Sequence, residues 1–216
     1  MWVVKDNAVC FDRGWLYIND GNSAYCHNNT YGNRFRSSSV DFNAIEFSSE
    51  ELKYARLPKT SMILSIYDSG LPTALGHKPL RYQRFTYFIS GARQTNDIGL
   101  KIAEYITALE ALVSSTTTEV AHQVAERVAC LLEPPGDARL DDYRQVKLAY
   151  NLRSKVVHGA SLKESQFAQL KHISNYLDNA CRILTIKYVT NEEKFGDSIE
   201  SQEIDAFFLK KLLTNT

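Results

Sequence analysis

The sequence predicts a mainly α fold, a helical bundle with a small β or extended N-terminal appendage, and three observations predict it. From Ser48 onward, apolar residues recur three and four apart in successive stretches separated by capping and breaking residues. Before that point the chain consists of short β-prone runs punctuated by turn residues. At 216 residues, 44% hydrophobic and 23% charged, it is long enough for one well-buried core, or one domain with a small appendage. Residues 1–47 read as an N-terminal β or extended segment and residues 48–216 as one helical domain.

In the first part the β-prone runs are residues 2–4, 9–11, 15–18 and 24–27, and a small meander is expected. Residues 28–43, rich in Asn, Ser, Gly and Arg, read as loop, with Arg34 and Arg36 as a minor basic spot. Ser48 and Glu51 form a capping box that opens the first helix, which has Pro58 near its middle. A linker with Pro72, Gly76 and Pro79 leads to a helix over 80–93. The next, over 97–114, sets Ile102, Tyr105, Ile106, Leu109, Leu112 and Val113 on one face. Thr116 and Glu119 are expected to cap a helix that ends at Pro134-Pro135-Gly136. The following helix spans about 140–157.

The longest helix, over 162–189, carries two apolar stripes, Phe167, Leu170, Ile173, Leu177, Cys181 and Leu184 beside Tyr176, Ala180, Ile183 and Ile186. Two faces need two partners: the core is one, and a second subunit or the N-terminal segment is the other. A short last helix over 199–213 adds Phe207 and Phe208.

The chemistry concentrates at Asn151 to Gly159. On a helical wheel Tyr143, Val146, Ala149, Tyr150 and Val157 share one face, and Arg153 falls on it. A guanidinium keeps its charge, so on an apolar stripe it must meet a carboxylate, a subunit boundary or an anion. His158 points about 140° away on a straight helix. Gly159 should end that helix in the left-handed conformation, with Ser161 and Glu164 boxing the start of the next, and the corner should expose His158 beside Arg153.

The stretch Tyr150-Asn-Leu-Arg-Ser-Lys-Val-Val-His-Gly159, preceded by Tyr105-Ile-Thr-Ala-Leu-Glu-Ala-Leu-Val113 and Ala121-His-Gln-Val-Ala-Glu-Arg-Val-Ala129, resembles the HEPN superfamily, and more closely its Apea-like branch. The resemblance implies a helical bundle acting as a homodimer, in which two Arg-x4–6-His motifs form a metal-independent endoribonuclease. It also implies a role as a toxin or antiphage-defence effector, with RNA as substrate and room for a regulatory or antitoxin partner. Arg153 and His158 would be catalytic. Histidine titrates near pH 6.5 and serves as acid or base, and a guanidinium fork matches two phosphate oxygens.

Asn151, Ser154 and Lys155 flank the arginine as RNA-binding or supporting candidates, and Glu110 and Glu126 as carboxylates able to pair with it. Ser154 departs from the Asn, Asp or His that many catalytic members carry after the arginine. Two other readings therefore stay open: a non-catalytic HEPN module binding RNA or nucleotide, and a dimerisation scaffold in which Arg153 is an interface ion pair.

Net charge is zero, so no global basic field holds long nucleic acid, and any RNA contact must be local. Cysteines 10, 26, 130 and 181 have no metal-ligand spacing; no metal, cofactor or disulfide framework is expected. The start lacks a signal-peptide pattern and no stretch has the length of a membrane span, so the chain is expected to be cytoplasmic, without a membrane partner. Walker, dinucleotide-binding, His-Glu-x-x-His and nucleophile-elbow patterns are all missing.

Overall fold

A capping box opens the helical part. The Ser48 N–H donates to the Glu51 carboxylate at 2.8 Å and the Glu51 N–H donates back to the Ser48 hydroxyl at 3.1 Å, so α1 runs Ser49–Ala55. The computed structural model describes residues 2–10, 16–19, 24–27, 34–41, 45–55, 80–159, 164–190 and 200–214. Pro58, the linker prolines and residues 161–163 of the second capping box lie outside them. Six more helices follow: α2 (Arg81–Gln94), α3 (Ile98–Val113), α4 (Val120–Leu132), α5 (Asp137–Val157), α6 (Glu164–Val189) and α7 (Ser201–Leu213). The fold is mainly helical, a bundle with a small β appendage.

At the centre lies α3, capped by the Asp97 carboxylate, which accepts from the Leu100 N–H at 2.8 Å. It packs against α2, α4, α5 and α6. Besides the expected stripe, Lys101 and Ala108 are buried, because a helix surrounded on several sides has little free face. Gly99 permits the closest approach. A Cβ there would lie 3.0 Å from Val156, so the end of α5 rests directly on the start of α3.

Two boundaries depart from expectation. Glu119, not Thr116, precedes α4, in the left-handed conformation (φ 51°) and without a side-chain cap, while the Thr116 hydroxyl donates to the Thr118 carbonyl. Gln123 holds the turn instead, bonding both the backbone and the hydroxyl of Ser115. Secondly, α5 begins at Asp137 directly after the Pro-Pro-Gly turn, with that acid in the favourable first turn.

The strands are β1 (Val9–Cys10), β2 (Leu16–Asn19), β3 (Ala24–His27) and β4 (Arg34–Phe35). Leu16 pairs with His27 and Asn19 with Ala24 in an antiparallel β2–β3 hairpin, while β1 pairs with β4, so the hairpin is nested in an outer pair rather than part of a meander. Within the expected loop, Arg34–Phe35 is strand. Residues 2–4, expected as strand, form a turn. Trp2 and Val3 are both buried, which a strand covered on one face cannot achieve with consecutive residues.

The N-terminal segment is fastened to α6 by polar groups. Trp2 Nε1 and the Tyr105 hydroxyl both donate to Asp178 Oδ1, at 2.8 and 2.7 Å, and Arg182 Nε donates to Oδ2 at 3.0 Å. The Ser38 N–H donates to Asp6 at 2.9 Å, its hydroxyl lies 2.6 Å from Asp6 and 2.5 Å from Asn175, and the Ser174 hydroxyl donates to the Ser38 carbonyl. Arg93 donates to Asn7 and stacks on the rings of Trp2 and Phe35. The α6 stripe that this segment covers is thus Lys171, Ser174, Asn175, Asp178 and Arg182. The second apolar stripe packs on the domain's own core, with the Tyr176 hydroxyl on Asp142 of α5 at 2.9 Å. Its need for a partner is met within the chain.

Candidate functional site

Backbone chemistry ends α5 where the sequence places its corner. His158 is the C-cap, its N–H donating to the Ser154 carbonyl at 3.1 Å, and Gly159 follows at φ 67°, donating to the Val156 carbonyl at 3.2 Å. A Cβ on Gly159 would meet nothing within 4 Å. Conformation rather than space therefore calls for glycine there.

The face of α5 differs in one respect from the wheel. Val146, Ala149 and Leu152 are buried and Tyr143 and Tyr150 half-buried, but Val157 is 54% exposed, while its neighbour Val156 is the one that packs on Gly99. Arg153 lies at the edge of the buried face. Its Nη1 is 3.8 Å from Glu110 Oε1, its guanidinium stands 5.5 Å from the Tyr150 ring, and its Nε is buried without an acceptor. The Tyr150 hydroxyl donates to the same Glu110 oxygen. Burial, and then the Glu110 carboxylate, push the Tyr150 hydroxyl well above the usual phenol range, so it stays protonated and keeps donating.

Helical side chains lean toward the N-terminus, and Arg153 follows that rule, lying back over the turn of Tyr150. His158 is exposed at the opposite end of the last turn and makes no hydrogen bond or ion pair with a described residue. No hydrogen bond or ion pair joins the two. The corner itself is as expected, and within it Arg153 belongs to a cluster with Glu110 and Tyr150 while His158 stands exposed.

Of the two carboxylates named for Arg153, Glu110 is at hand, while Glu126 is half-buried on α4 and makes no ion pair with it. Asn151 and Ser154 are exposed and Lys155 half-buried, all on the outer side of α5. Gly99 and Tyr150 were not assigned roles from sequence. A helical offset of three between Tyr150 and Arg153 was the available signal for the tyrosine; only packing reveals Gly99. Leu100 (52% exposed) follows Gly99 as Val157 follows Val156, so two exposed aliphatic side chains stand at the end of the bundle that carries His158.

Fold and site together define a helical bundle with one open, histidine-bearing helix end. No family model, curated protein or solved structure matches the chain, so the functional reading stands on these residues and on the sequence resemblance. Among the described residues, no helix is long and apolar enough to cross a membrane.

Proposed function

We propose that this chain is a metal-independent HEPN endoribonuclease, of the toxin or antiphage-defence type, that cuts RNA at a site made from two copies of the α5 end. The observation that carries the reading is His158, exposed and without a described partner on a helix end, with Arg153 less than two turns before it. In this chemistry a base removes the 2′-OH proton and O2′ attacks phosphorus. The P–O5′ bond breaks, and an acid protonates the departing 5′-oxygen, leaving a 2′,3′-cyclic phosphate and a 5′-hydroxyl. Two His158 side chains supply the base and the acid.

Arg153 would stabilise the phosphorane charge, using guanidinium edges that the long 3.8 Å contact with Glu110 leaves available. Leu100 and Val157 supply apolar surface on which two copies can pack about a two-fold axis beside His158. Asn151, Ser154 and Lys155 face outward, where they can meet RNA backbone. Any regulatory or antitoxin partner would act at this same end.

The Arg153–Glu110 pair favours a second reading. An arginine already paired within its own chain suits a non-catalytic HEPN module that binds RNA or nucleotide, or a dimerisation scaffold.

Incubating the pure protein with a mixed single-stranded RNA pool in EDTA tests the proposal. Cleavage to cyclic-phosphate ends, lost in Arg153→Ala with the melting temperature retained, is the expected result. Intact RNA with and without magnesium would leave the non-catalytic reading. Light scattering at micromolar concentration should give a dimer; a monomer that cleaves RNA would remove the two-copy site.

A further inference from the structure

The first turn of α2 contains Arg81 and Arg84 and no acid, although a helix N-terminus carries roughly half a positive charge and favours anions. Set three apart, the two arginines share a face. Arg81 is only 4% exposed, and its Nη1 donates to the Ser114 carbonyl at 2.5 Å, just past the end of α3. Arg127 of α4 reaches the same place, donating to the Val113 carbonyl at 2.8 Å and the Ser115 hydroxyl at 3.0 Å.

Among the described residues, one carboxylate answers this group. Asp205 of α7 pairs with Arg127 and also accepts from the Ser115 hydroxyl. Burial, and then the neighbouring charges of Arg84 and Arg127, make the Arg81 cation less favourable, with Asp205 opposing. Capping of the α3 carbonyls accounts for Arg127 and for one edge of Arg81. It leaves Arg84, which makes no hydrogen bond or ion pair with a described residue, and the buried Nε atoms of Arg81 and Arg84, which have no acceptor.

We propose that Arg81 and Arg84, with Arg127 behind them, form an oxyanion site whose ligand is a phosphate group. Three guanidiniums against one carboxylate leave two positive charges over, and a phosphate monoester at neutral pH brings nearly two negative ones in a shape that guanidinium forks match. The free N–H groups at the start of α2 add donors, since Leu80 at the N-cap position offers no side-chain acceptor. The site lies at the C-terminal end of α3. His158 stands near the other end, roughly 20 Å away along that helix, so the site is independent of the ribonuclease reading.

Arg84→Gln is the clean variant, because no described partner depends on Arg84. The full chain is melted in sodium phosphate and in sodium chloride at matched ionic strength, and binding of inorganic phosphate and of adenosine monophosphate is measured by calorimetry. Phosphate should raise the melting temperature of the wild type, and Arg84→Gln should bind about 10-fold or more weakly. In chloride, Arg84→Gln should melt no lower than the wild type, since it relieves a like-charge contact. Tighter binding of the nucleotide than of phosphate assigns the site to a nucleotide's phosphate; equal binding assigns it to the bare ion. A phosphate shift identical in both proteins, no shift in either, or a lower melting point of the variant in chloride overturns the proposal.

Discussion

Asp178 and Arg153 are both charged residues on amphipathic helices of one bundle, and they are treated in opposite ways. Asp178 is buried and receives donors from Trp2, Tyr105 and Arg182, three separate parts of the chain. Arg153 is half-buried and has one carboxylate at 3.8 Å and the face of a tyrosine ring. A buried charge with all its partners locks elements together, and losing one partner is costly. A charge met only in part keeps donors for something that arrives later. The N-terminal fastening is therefore structural, while Arg153 at the end of α5 keeps donors unpaired, as the proposed site requires.

The strongest way to break this comparison is Asp178→Ala. It strands the Trp2 and Tyr105 donors and unpairs Arg182, and should cost about 3–5 kcal/mol in urea unfolding. A loss below about 1 kcal/mol would mean that the fastening bears little of the fold. Gly99→Ala comes next. Its methyl group would press on Val156, and overpacking of this kind costs about 1–3 kcal/mol, read as a lower urea midpoint with the last turn of α5 displaced.

Lys101 sharpens the comparison through pH. Burial lowers its amine from 10.5 to about 8, with the Asp178 charge opposing. Below pH 8 both folded and unfolded chains hold the proton, and the folded state bears the cost of a buried cation. Between about 8 and 10.5 the unfolded chain keeps a proton that the folded chain has released, so this group makes stability rise with pH. Tyrosines such as Tyr105 and the Cys181 thiol, all pushed up by burial, oppose the trend as the pH rises through about 9 to 10, so the useful reading is the difference between two proteins, each compared at pH 7.5 and 9.5. The change in stability over that interval is expected to be about 1 kcal/mol more favourable in the wild type than in Lys101→Met, and an identical change in both would contradict it. The smallest effect is that of Glu110→Gln. A half-exposed ion pair is worth up to about 1 kcal/mol, and the Tyr150 hydroxyl still has an oxygen to meet. A urea midpoint lowered as far as that of Asp178→Ala would erase the distinction between the two regions.

Local chemistry was readable from the sequence. The Ser48–Glu51 box and the Gly159 stop each follow from one or two side chains acting on a nearby backbone, and both stand where expected. The Thr116 box failed because Gln123, seven residues past Thr116, holds Ser115 instead. What escaped notice is nonlocal. Lys171, Ser174, Asn175, Asp178 and Arg182 recur at helical spacing, but a polar stripe reads as a solvent face until the segment that covers it is in view. Residues 2–4 failed for the matching reason: a short apolar run has the composition of a strand and of a plug alike. At the site, sequence named Arg153, His158 and Glu110, but not the backward lean that carries the guanidinium to Tyr150.

The central claim is that His158 at the α5 end has no structural duty and serves the proposed catalysis, and His158→Ala tests it most directly, with melting temperature and RNA cleavage measured on the same sample. The predicted result is a melting temperature within about 2 °C of the wild type and cleavage lowered by about 10²–10⁴-fold. Cleavage equal to that of an active wild type, or a melting temperature that falls as far as it does in Asp178→Ala, would contradict it.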